Sequence, residues 1–243
     1  MVLVNGVGDQ RLPISDRGLS YGDGLFETIA VVEGRIQHWD LHMARLAAGG
    51  QRLGIHAPHA DVWASEARQV IAANAAHRGV LKLMLTRGSG GRGYTPPVRC
   101  EPTRIVQWFP WPTWPGEWET RGLSVLVCQT RLGMNPLLAG IKHNNRLEQV
   151  LASDEVARAG ADDGLMLATD GRLVESTRAN VFVVKGQRIL TPDLSDCGVA
   201  GVMREVLFGA LPAAGFTLEI AALTMDSVAD CDGIFLTNSL IGV

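Results

Sequence analysis

The fold is decided by the stretch Asn135-Pro-Leu-Leu-Ala-Gly-Ile-Lys-His-Asn-Asn-Arg-Leu-Glu-Gln-Val150, in which Lys142 stands shortly before a predicted helix. Lysine is rare here: Lys82, Lys142 and Lys185 occur against nineteen arginines. Lys82 lies in a strand-like run and Lys185 in a polar turn, whereas Lys142 follows a glycine-containing connection and is expected to point into a cleft. A desolvated amine there is what a Schiff base with a carbonyl cofactor requires, and an ordinary surface lysine is the alternative.

The helix after Lys142 is predicted from its first residues and from its apolar pattern. Asn145 followed three residues later by Glu148 is an asparagine variant of the capping box. The helix is predicted to end at Gly160, with one apolar face that consists of Leu147, Val150, Leu151 and Val156.

Composition narrows the class of protein. With 243 residues, 47% of them apolar and 19% charged, the chain is expected to form one large or two ordinary globular domains. A net charge of -3 without a basic stripe disfavours nucleic acid and anionic membranes as partners. Four widely spaced cysteines and the lack of a leader or a long apolar run favour a cytoplasmic protein with reduced thiols.

The order of predicted elements indicates an α+β protein with two domains. Short strands, helices beginning near Asp40 and Asp61, and strands at 80–87 and 103–109 form an N-terminal domain, 1–109. The proline- and tryptophan-rich segment 110–121 is predicted to be a linker. The C-terminal domain, 122–243, contains a hairpin at 165–174 with a type I′ turn at Asp170-Gly171, a second hairpin at 180–190, a helix after Gly201 and a final strand at 233–237.

Two motifs are weighed and set aside. Gly88-Ser-Gly-Gly-Arg-Gly93 matches the dinucleotide fingerprint, but the prolines that follow do not open the required helix. The loop instead offers Arg92 for gripping a carboxylate, or merely a turn arginine. His38 and His42 have helical metal spacing without a third ligand, so no metal site is predicted.

Glu175 and Gly201 are the remaining candidates in the second half. Glu175 ends an apolar strand, and it either pairs with Arg172, Arg178 or another cation or meets a protonated pyridine nitrogen. Gly201 precedes a helix whose first backbone N–H groups suit a phosphate. A lysine, a carboxylate, such a helix start and an additional arginine together are the groups that pyridoxal 5′-phosphate needs.

These residues give the chain a resemblance to the fold-type IV pyridoxal-phosphate enzymes, which include branched-chain and D-amino-acid aminotransferases and 4-amino-4-deoxychorismate lyase. The resemblance covers essentially the whole chain, and the runs Arg87–Tyr94 and Leu138–Val150 are most similar to the lyases. It implies a small N-terminal α/β domain, a larger C-terminal pseudo-barrel domain, a homodimer, and a cofactor between the domains in a pocket to which the partner subunit contributes.

The resemblance also implies roles for individual residues. Lys142 would bind the cofactor covalently and act as the general base, and Glu175 would pair with its pyridine nitrogen. The cofactor phosphate would be bound by Arg45, Val202, Met203 and Ser239. The substrate carboxylate would be bound by Arg92 with help from Tyr94, and further substrate contacts are expected from Thr28 and Asn238.

The activity implied by the resemblance is that of the lyase: 4-amino-4-deoxychorismate is converted to 4-aminobenzoate and pyruvate in folate biosynthesis. An aminotransferase of the same fold, acting on D-amino acids or branched-chain amino acids, is the main alternative. A binding protein that keeps the fold without catalysis is a third, disfavoured because Lys142 and Glu175 are both present.

Overall fold

A computed structural model describes residues 1–8, 11–75 and 77–242. The chain divides into two compact units: unit 1 contains Met1–Thr113 and Ile141–Asn145, and unit 2 contains Trp114–Gly140 and Arg146–Val243. Lys142 therefore belongs to unit 1, although the chain before and after its short segment belongs to unit 2. No helix in the described part of the chain is both long and apolar enough to cross a membrane.

Unit 1 is built on a five-stranded antiparallel sheet in the order β1-β5-β4-β2-β3. Its strands are β1 (Val2–Val4), β2 (Gly24–Val32), β3 (Arg35–Ile36), β4 (Gly79–Thr86) and β5 (Thr103–Pro110), and its helices are α1 (Arg17–Tyr21), α2 (Trp39–Leu53) and α3 (Ala60–Asn74). Helix α2 packs on β2, and α3 packs on β5. Apolar side chains on alternate strand positions, such as Leu81, Leu83 and Leu85, are fully buried, as a half-covered sheet requires.

Unit 2 is built on a seven-stranded mixed sheet in which β11, β10, β9, β8, β7 and β6 follow one another and β12 pairs with β9. Its strands are β6 (Val125–Leu132), β7 (Asp163–Ala168), β8 (Leu173–Ser176), β9 (Asn180–Lys185), β10 (Arg188–Pro192), β11 (Thr217–Ala221) and β12 (Gly233–Thr237). Its helices are α4 (Trp118–Arg121), α5 (Leu147–Ala159), α6 (Val202–Ala213) and α7 (Met225–Ala229). The α+β class and both predicted hairpins are confirmed.

The turn of the first hairpin differs from the prediction. A type I′ turn needs positive φ at both central residues, but among the described residues around it only Gly171 has one, at 89°. Asp170 instead accepts a hydrogen bond from the backbone N–H of Arg172 at 3.1 Å. This side-chain turn replaces the backbone geometry that the Asp-Gly pair predicted.

The capping box predicted for α5 is wrong. The helix begins at Leu147, after Arg146, and in the described chain no side chain caps it. Asn145 donates to the backbone oxygen of Gly22 at 3.1 Å within unit 1, and Glu148 accepts from the backbone N–H of Gly133 at 2.8 Å within unit 2. Both side chains therefore serve tertiary contacts, which override the local pattern.

The single apolar face predicted for α5 is also wrong. Residues advance by about 100° around a helix, so Val156 lies opposite Leu147 rather than beside it. Val156 and Ala152 are buried, whereas Leu147, Val150 and Leu151 are 76%, 60% and 58% exposed. We call these last three residues the α5 apolar face.

Candidate functional site

The segment around Lys142 is held against β2 by backbone hydrogen bonds within unit 1. Phe26 N–H donates to the oxygen of Lys142 at 3.0 Å, and Asn144 N–H donates to the oxygen of Gly24 at 2.9 Å. The partly buried Lys142 amine lies 4.5 Å from the centroid of the Phe26 ring. The flanking hydrogen bonds fix the backbone from which the amine projects, and the Phe26 ring borders the amine.

Asn144, beside this lysine, has an unsatisfied polar atom. Its side-chain oxygen Oδ1 is buried and finds no hydrogen-bond partner among the described residues. A buried acceptor without a donor is costly, so such an atom is expected where a ligand supplies the missing hydrogen.

Arg45 lies on α2 and meets a buried carboxylate of β2. Its Nε donates to Oε1 of Glu27 at 2.9 Å, and Nδ1 of His42 lies 2.6 Å from Oε2. Burial raises the pKa of Glu27, but the charge of Arg45 and the hydrogen bonds from His42 and Arg45 outweigh this and hold the pKa below its ordinary value. Burial lowers the pKa of His42, and this effect outweighs the hydrogen bond and the charge of Glu27, which act to raise it.

Neighbouring residues of β2 send their side chains to opposite faces of the sheet. Lys142 contacts Phe26, and Arg45 contacts Glu27, so within unit 1 the two predicted cofactor residues touch side chains of opposite faces. Thr28, predicted to contact substrate, is partly buried on β2 and stands opposite Lys82 of β4 in the sheet register.

The other predicted substrate residues of unit 1 lie on the loop after β4. Arg92 is exposed, and the Tyr94 side chain is 86% exposed. The ring of Tyr94 packs edge-on against Tyr21 with centroids 5.5 Å apart. The structure therefore gathers Arg92 and Tyr94 on one surface loop.

Glu175 is the penultimate residue of β8 in unit 2 and is 5% exposed. Its Oε2 accepts from the backbone N–H of Val199 at 2.8 Å, and its Oε1 accepts from Nε2 of Gln149 at 3.2 Å. The two arginines considered as salt-bridge partners are committed elsewhere, because Arg172 pairs with Asp170 and Asp196, and Arg178 pairs with Asp163. Two neutral donors thus orient the carboxylate, which suits recognition of a separate cationic group.

The start of α6 has the features of an anion site. Gly201 is its N-cap residue, in extended conformation, and within the described chain no side chain caps it. The first N–H groups, those of Val202 and Met203, are therefore left for a ligand at the positive end of a 12-residue helix. A Cβ at Gly201 would stand 1.9 Å from Oδ1 of Asn180, so only glycine fits this approach.

Ser239 and Asn238 follow β12 in a turn. Oδ1 of Asn238 accepts from the N–H groups of Leu240 at 2.8 Å and Ile241 at 3.0 Å, and its Nδ2 donates to the oxygen of Arg178. Asn238 thus shapes the turn that presents the partly buried Ser239.

Residues that the sequence did not single out complete both parts. Gln149 and Val199 orient Glu175, and Glu27 binds both Arg45 and His42, a histidine that the sequence suggested only as half of a metal pair. One sequence signal was available for this ion pair. Side chains alternate along β2, so Glu27 lies on the buried face, where a charged residue needs a partner. An amine on a half-buried segment, an oriented carboxylate and an uncapped helix start fit the reactive aldehyde, ring nitrogen and phosphate of pyridoxal 5′-phosphate.

Comparison with known proteins gives full-length matches. A family model described as amino-transferase class IV matches residues 24–243. An aminodeoxychorismate lyase of Vibrio harveyi is 38% identical over 100% of this chain and 89% of its own length. The crystal structure of 4-amino-4-deoxychorismate lyase from Pseudomonas aeruginosa superposes with a TM-score of 0.94 at 42% identity, covering 100% of this chain and 88% of that one.

A third match is a PLP-bound form of a hypothetical aminotransferase from Mycobacterium tuberculosis. It superposes with a TM-score of 0.86 over 99% of this chain and 87% of that one. Its sequence identity is 24%, so this likeness concerns the fold alone.

Proposed function

Since the chain belongs to the class IV aminotransferase family, we propose that it is an aminodeoxychorismate lyase, which converts 4-amino-4-deoxychorismate to 4-aminobenzoate and pyruvate. The observation that carries the proposal is the similarity to two lyases over the entire chain, at 38% and 42% identity. Membership of the family confirms the fold-type IV architecture and the pyridoxal 5′-phosphate cofactor expected from the sequence.

The cofactor would be held by the residues whose environments fit its parts. Lys142 would bind its aldehyde carbon covalently, and Glu175, oriented by Gln149 and Val199, would keep the ring nitrogen protonated. The phosphate would be bound by the N–H groups of Val202 and Met203, the hydroxyl of Ser239 and the guanidinium of Arg45. When bound, the cofactor supplies a ring that accepts an electron pair from the carbon next to the substrate nitrogen.

In the overall reaction the substrate loses a proton from C4 and the enolpyruvyl oxygen from C3, and its ring becomes aromatic. The Lys142 amine would act as the base that takes the proton from C4. It then returns a proton to the methylene carbon of the departing enolpyruvyl group, which leaves as pyruvate. Atoms balance without water or a redox partner, and Arg92 would hold one substrate carboxylate while the chemistry proceeds.

An aminotransferase is the second candidate, since the family takes its name from that activity. It would transfer the amino group of a D-amino acid or a branched-chain amino acid to the cofactor and release a keto acid. The same Lys142 would then move its proton to the cofactor carbon instead of to a leaving group. Products therefore distinguish the two activities, whereas the site residues do not.

We further propose a homodimer in which the α5 apolar face meets its counterpart on a second copy. Three large apolar side chains in adjacent turns of an exposed helix are unusual on the surface of a monomer. The Asp154–Arg158 ion pair follows on the same side of α5 and compensates its own charges. A second copy offers an equally neutral, apolar surface, so the pairing buries no uncompensated charge. Four free cysteines support the expected cytoplasmic location.

The decisive experiment supplies aminodeoxychorismate to the holoprotein and quantifies pyruvate and 4-aminobenzoate together. Equimolar formation that disappears in Lys142→Ala supports the lyase. Release of a keto acid from D-alanine or a branched-chain amino acid, without 4-aminobenzoate, would replace it with the aminotransferase. Borohydride reduction of the holoprotein followed by peptide mapping should place the cofactor on Lys142, and a label elsewhere would refute the assigned lysine.

A further inference from the structure

Helix α1 of unit 1 is fixed at its first residue by a fully buried carboxylate. Asp16 accepts hydrogen bonds from the N–H of Gly18 at 2.8 Å, from Oγ1 of Thr86 at 2.9 Å and from Oγ1 of Thr103 at 2.8 Å. Thr86 and Thr103 stand at adjoining ends of β4 and β5. These hydrogen bonds join the start of α1 to the ends of two strands of the sheet.

Two side chains of α1, one helical turn apart, form hydrogen bonds with the loop that carries Arg92. The Arg17 guanidinium, 3% exposed, donates from Nη1 to the oxygen of Gly93 at 3.0 Å and from Nη2 to the oxygen of Tyr94 at 2.9 Å. The Tyr21 hydroxyl accepts from the N–H of Gly93 at 3.2 Å. Gly88, at the start of the loop, is buried and its oxygen accepts from the N–H of Arg17 at 2.9 Å, whereas Gly91 and Arg92 are exposed. The contacts to residues 93 and 94 therefore anchor the loop on the far side of Arg92.

The guanidinium of Arg17 is itself held by Asp23, which a second arginine shares. Arg17 Nε lies 2.9 Å from Oδ2 of Asp23, and Arg87 Nε lies 2.7 Å from the same oxygen. Arg87 also donates to the backbone oxygens of Leu53 and Gly54 at the end of α2. Burial raises the pKa of Asp23, but the hydrogen bonds and charges of Arg87 and Arg17 outweigh it, and the pKa lies below its ordinary value.

We propose that Arg17 is a positioning residue that, with Tyr21, fixes the Gly88–Tyr94 loop and so orients Arg92 toward the carboxylate of the substrate. The inference rests on the proposed function, which assigns Arg92 to that carboxylate. The loop contains Gly88, Gly91 and Gly93 at positive φ. Because glycine is conformationally free, the loop would sample many conformations if nothing anchored it. Arg17 supplies the anchor by donating to the backbone oxygens of the two residues directly after Arg92. Because the acceptors belong to the backbone, a change of side chains in the loop would not remove them.

Hydrogen exchange tests the anchoring without reference to activity. Arg17→Met leaves Asp23 paired with Arg87, so the fold is expected to persist. Amides of residues 89–94 should exchange about tenfold faster in this variant, because the loop opens more often. Tyr21→Phe should accelerate exchange chiefly at Gly93, whose N–H loses its acceptor. Arg188→Met, which breaks an exposed ion pair in unit 2, is the matched control. Unchanged exchange in Arg17→Met overturns the proposal.

Steady-state kinetics tests the consequence for substrate binding. Arg17→Met should raise KM for the dicarboxylate substrate roughly tenfold to a hundredfold, with a smaller effect on kcat and none on cofactor affinity. In the Arg92→Ala background the same change should add almost nothing, because both act through one group. If Arg92→Ala raises KM and Arg17→Met does not, positioning is refuted. If Arg92→Ala leaves KM unchanged, the carboxylate role within the proposed function fails, and the positioning of substrate falls with it.

Discussion

Arg45 donates a hydrogen bond from Nε to Oε1 of Glu27 at 2.9 Å, joining α2 to β2 across 18 residues of sequence. Glu27 is 1% exposed, and the Arg45 side chain is 13% exposed, so both charges are largely removed from water. Such a pair depends on each partner, because either charge alone would be buried without compensation.

Glu27→Gln is expected to destabilise the protein by about 3 kcal/mol, because the Arg45 charge then lacks its buried counterion. Urea unfolding of the apoprotein, followed by tryptophan fluorescence, measures the change. Glu219→Gln, which breaks the exposed pair with Arg188, is the control and should leave the midpoint unchanged. Equal midpoints for the two variants would mean that the Glu27–Arg45 pair contributes no more than a surface pair.

Stability should fall on acidification from about neutral pH, and His42 should cause the first part of the loss. Burial depresses the folded-state pKa of His42 below the ordinary 6.5, so the unfolded chain binds this proton first, and stability declines as pH falls below that value. Glu27 also has a depressed folded-state pKa, so its contribution is complete above its ordinary 4.5 and declines below it. His42→Gln should flatten the loss that begins below pH 6.5 and leave the loss that begins below pH 4.5; an unaltered pH profile contradicts the assignment.

Gly201→Ala should weaken binding of pyridoxal 5′-phosphate by about tenfold, equivalent to about 1.4 kcal/mol. The added methyl group would collide with Asn180 Oδ1 and shift the N–H groups that start α6. Affinity for pyridoxal, which lacks the phosphate, should change little, and equilibrium dialysis with both compounds separates the effects. Gly209→Ala lies in the same helix with open space around the new methyl group, so it should preserve affinity. Equal losses for both compounds would argue against a phosphate at this helix start.

Leu151→Asp should shift the proposed dimer toward monomer, because it sets like charges opposite each other in an apolar contact. Sedimentation velocity at several protein concentrations measures the change. Ile220→Asp replaces another exposed apolar residue of unit 2, on β11, and should leave association unaltered. A monomeric parent protein, or identical behaviour of the two variants, would remove the α5 apolar face from consideration as the dimer contact.

Predictions from the sequence were correct for elements that local patterns determine. They failed where contacts with residues distant along the chain determine the structure. Alternating strands with glycine turns gave both hairpins of unit 2 correctly. The α5 capping box failed because Asn145 and Glu148 found backbone partners far away along the chain, and no local pattern encodes these. The α5 face failed for a geometric reason, since Val156 stands half a turn of the helix away from Leu147.

The candidate site shows the same difference between local signals and distant partners. Lys142, Glu175 and the helix after Gly201 were singled out by residue type and position, and the resemblance supplied their roles. The partners of these residues were not predictable, because Gln149 reaches Glu175 across 26 residues and His42 reaches Glu27 across 15. These contacts depend on how the helices pack on the sheets, and local patterns in a single sequence do not reveal that packing. Their roles toward cofactor and substrate stay predictions for the experiments above.

Unit 1 draws its parts from two separate stretches, because residues 141–145 complete the hydrogen bonding of Gly24 and Phe26. A protein truncated after Thr113 would therefore lack residues 141–145, and the backbone groups of Gly24 and Phe26 that pair with them would have no hydrogen-bond partner there. The complementary half would carry the reactive lysine on an unsupported tether. Neither product should assemble a working catalyst alone, so shuffling of these halves between homologues must keep the lysine segment matched to the β2 strand that receives it.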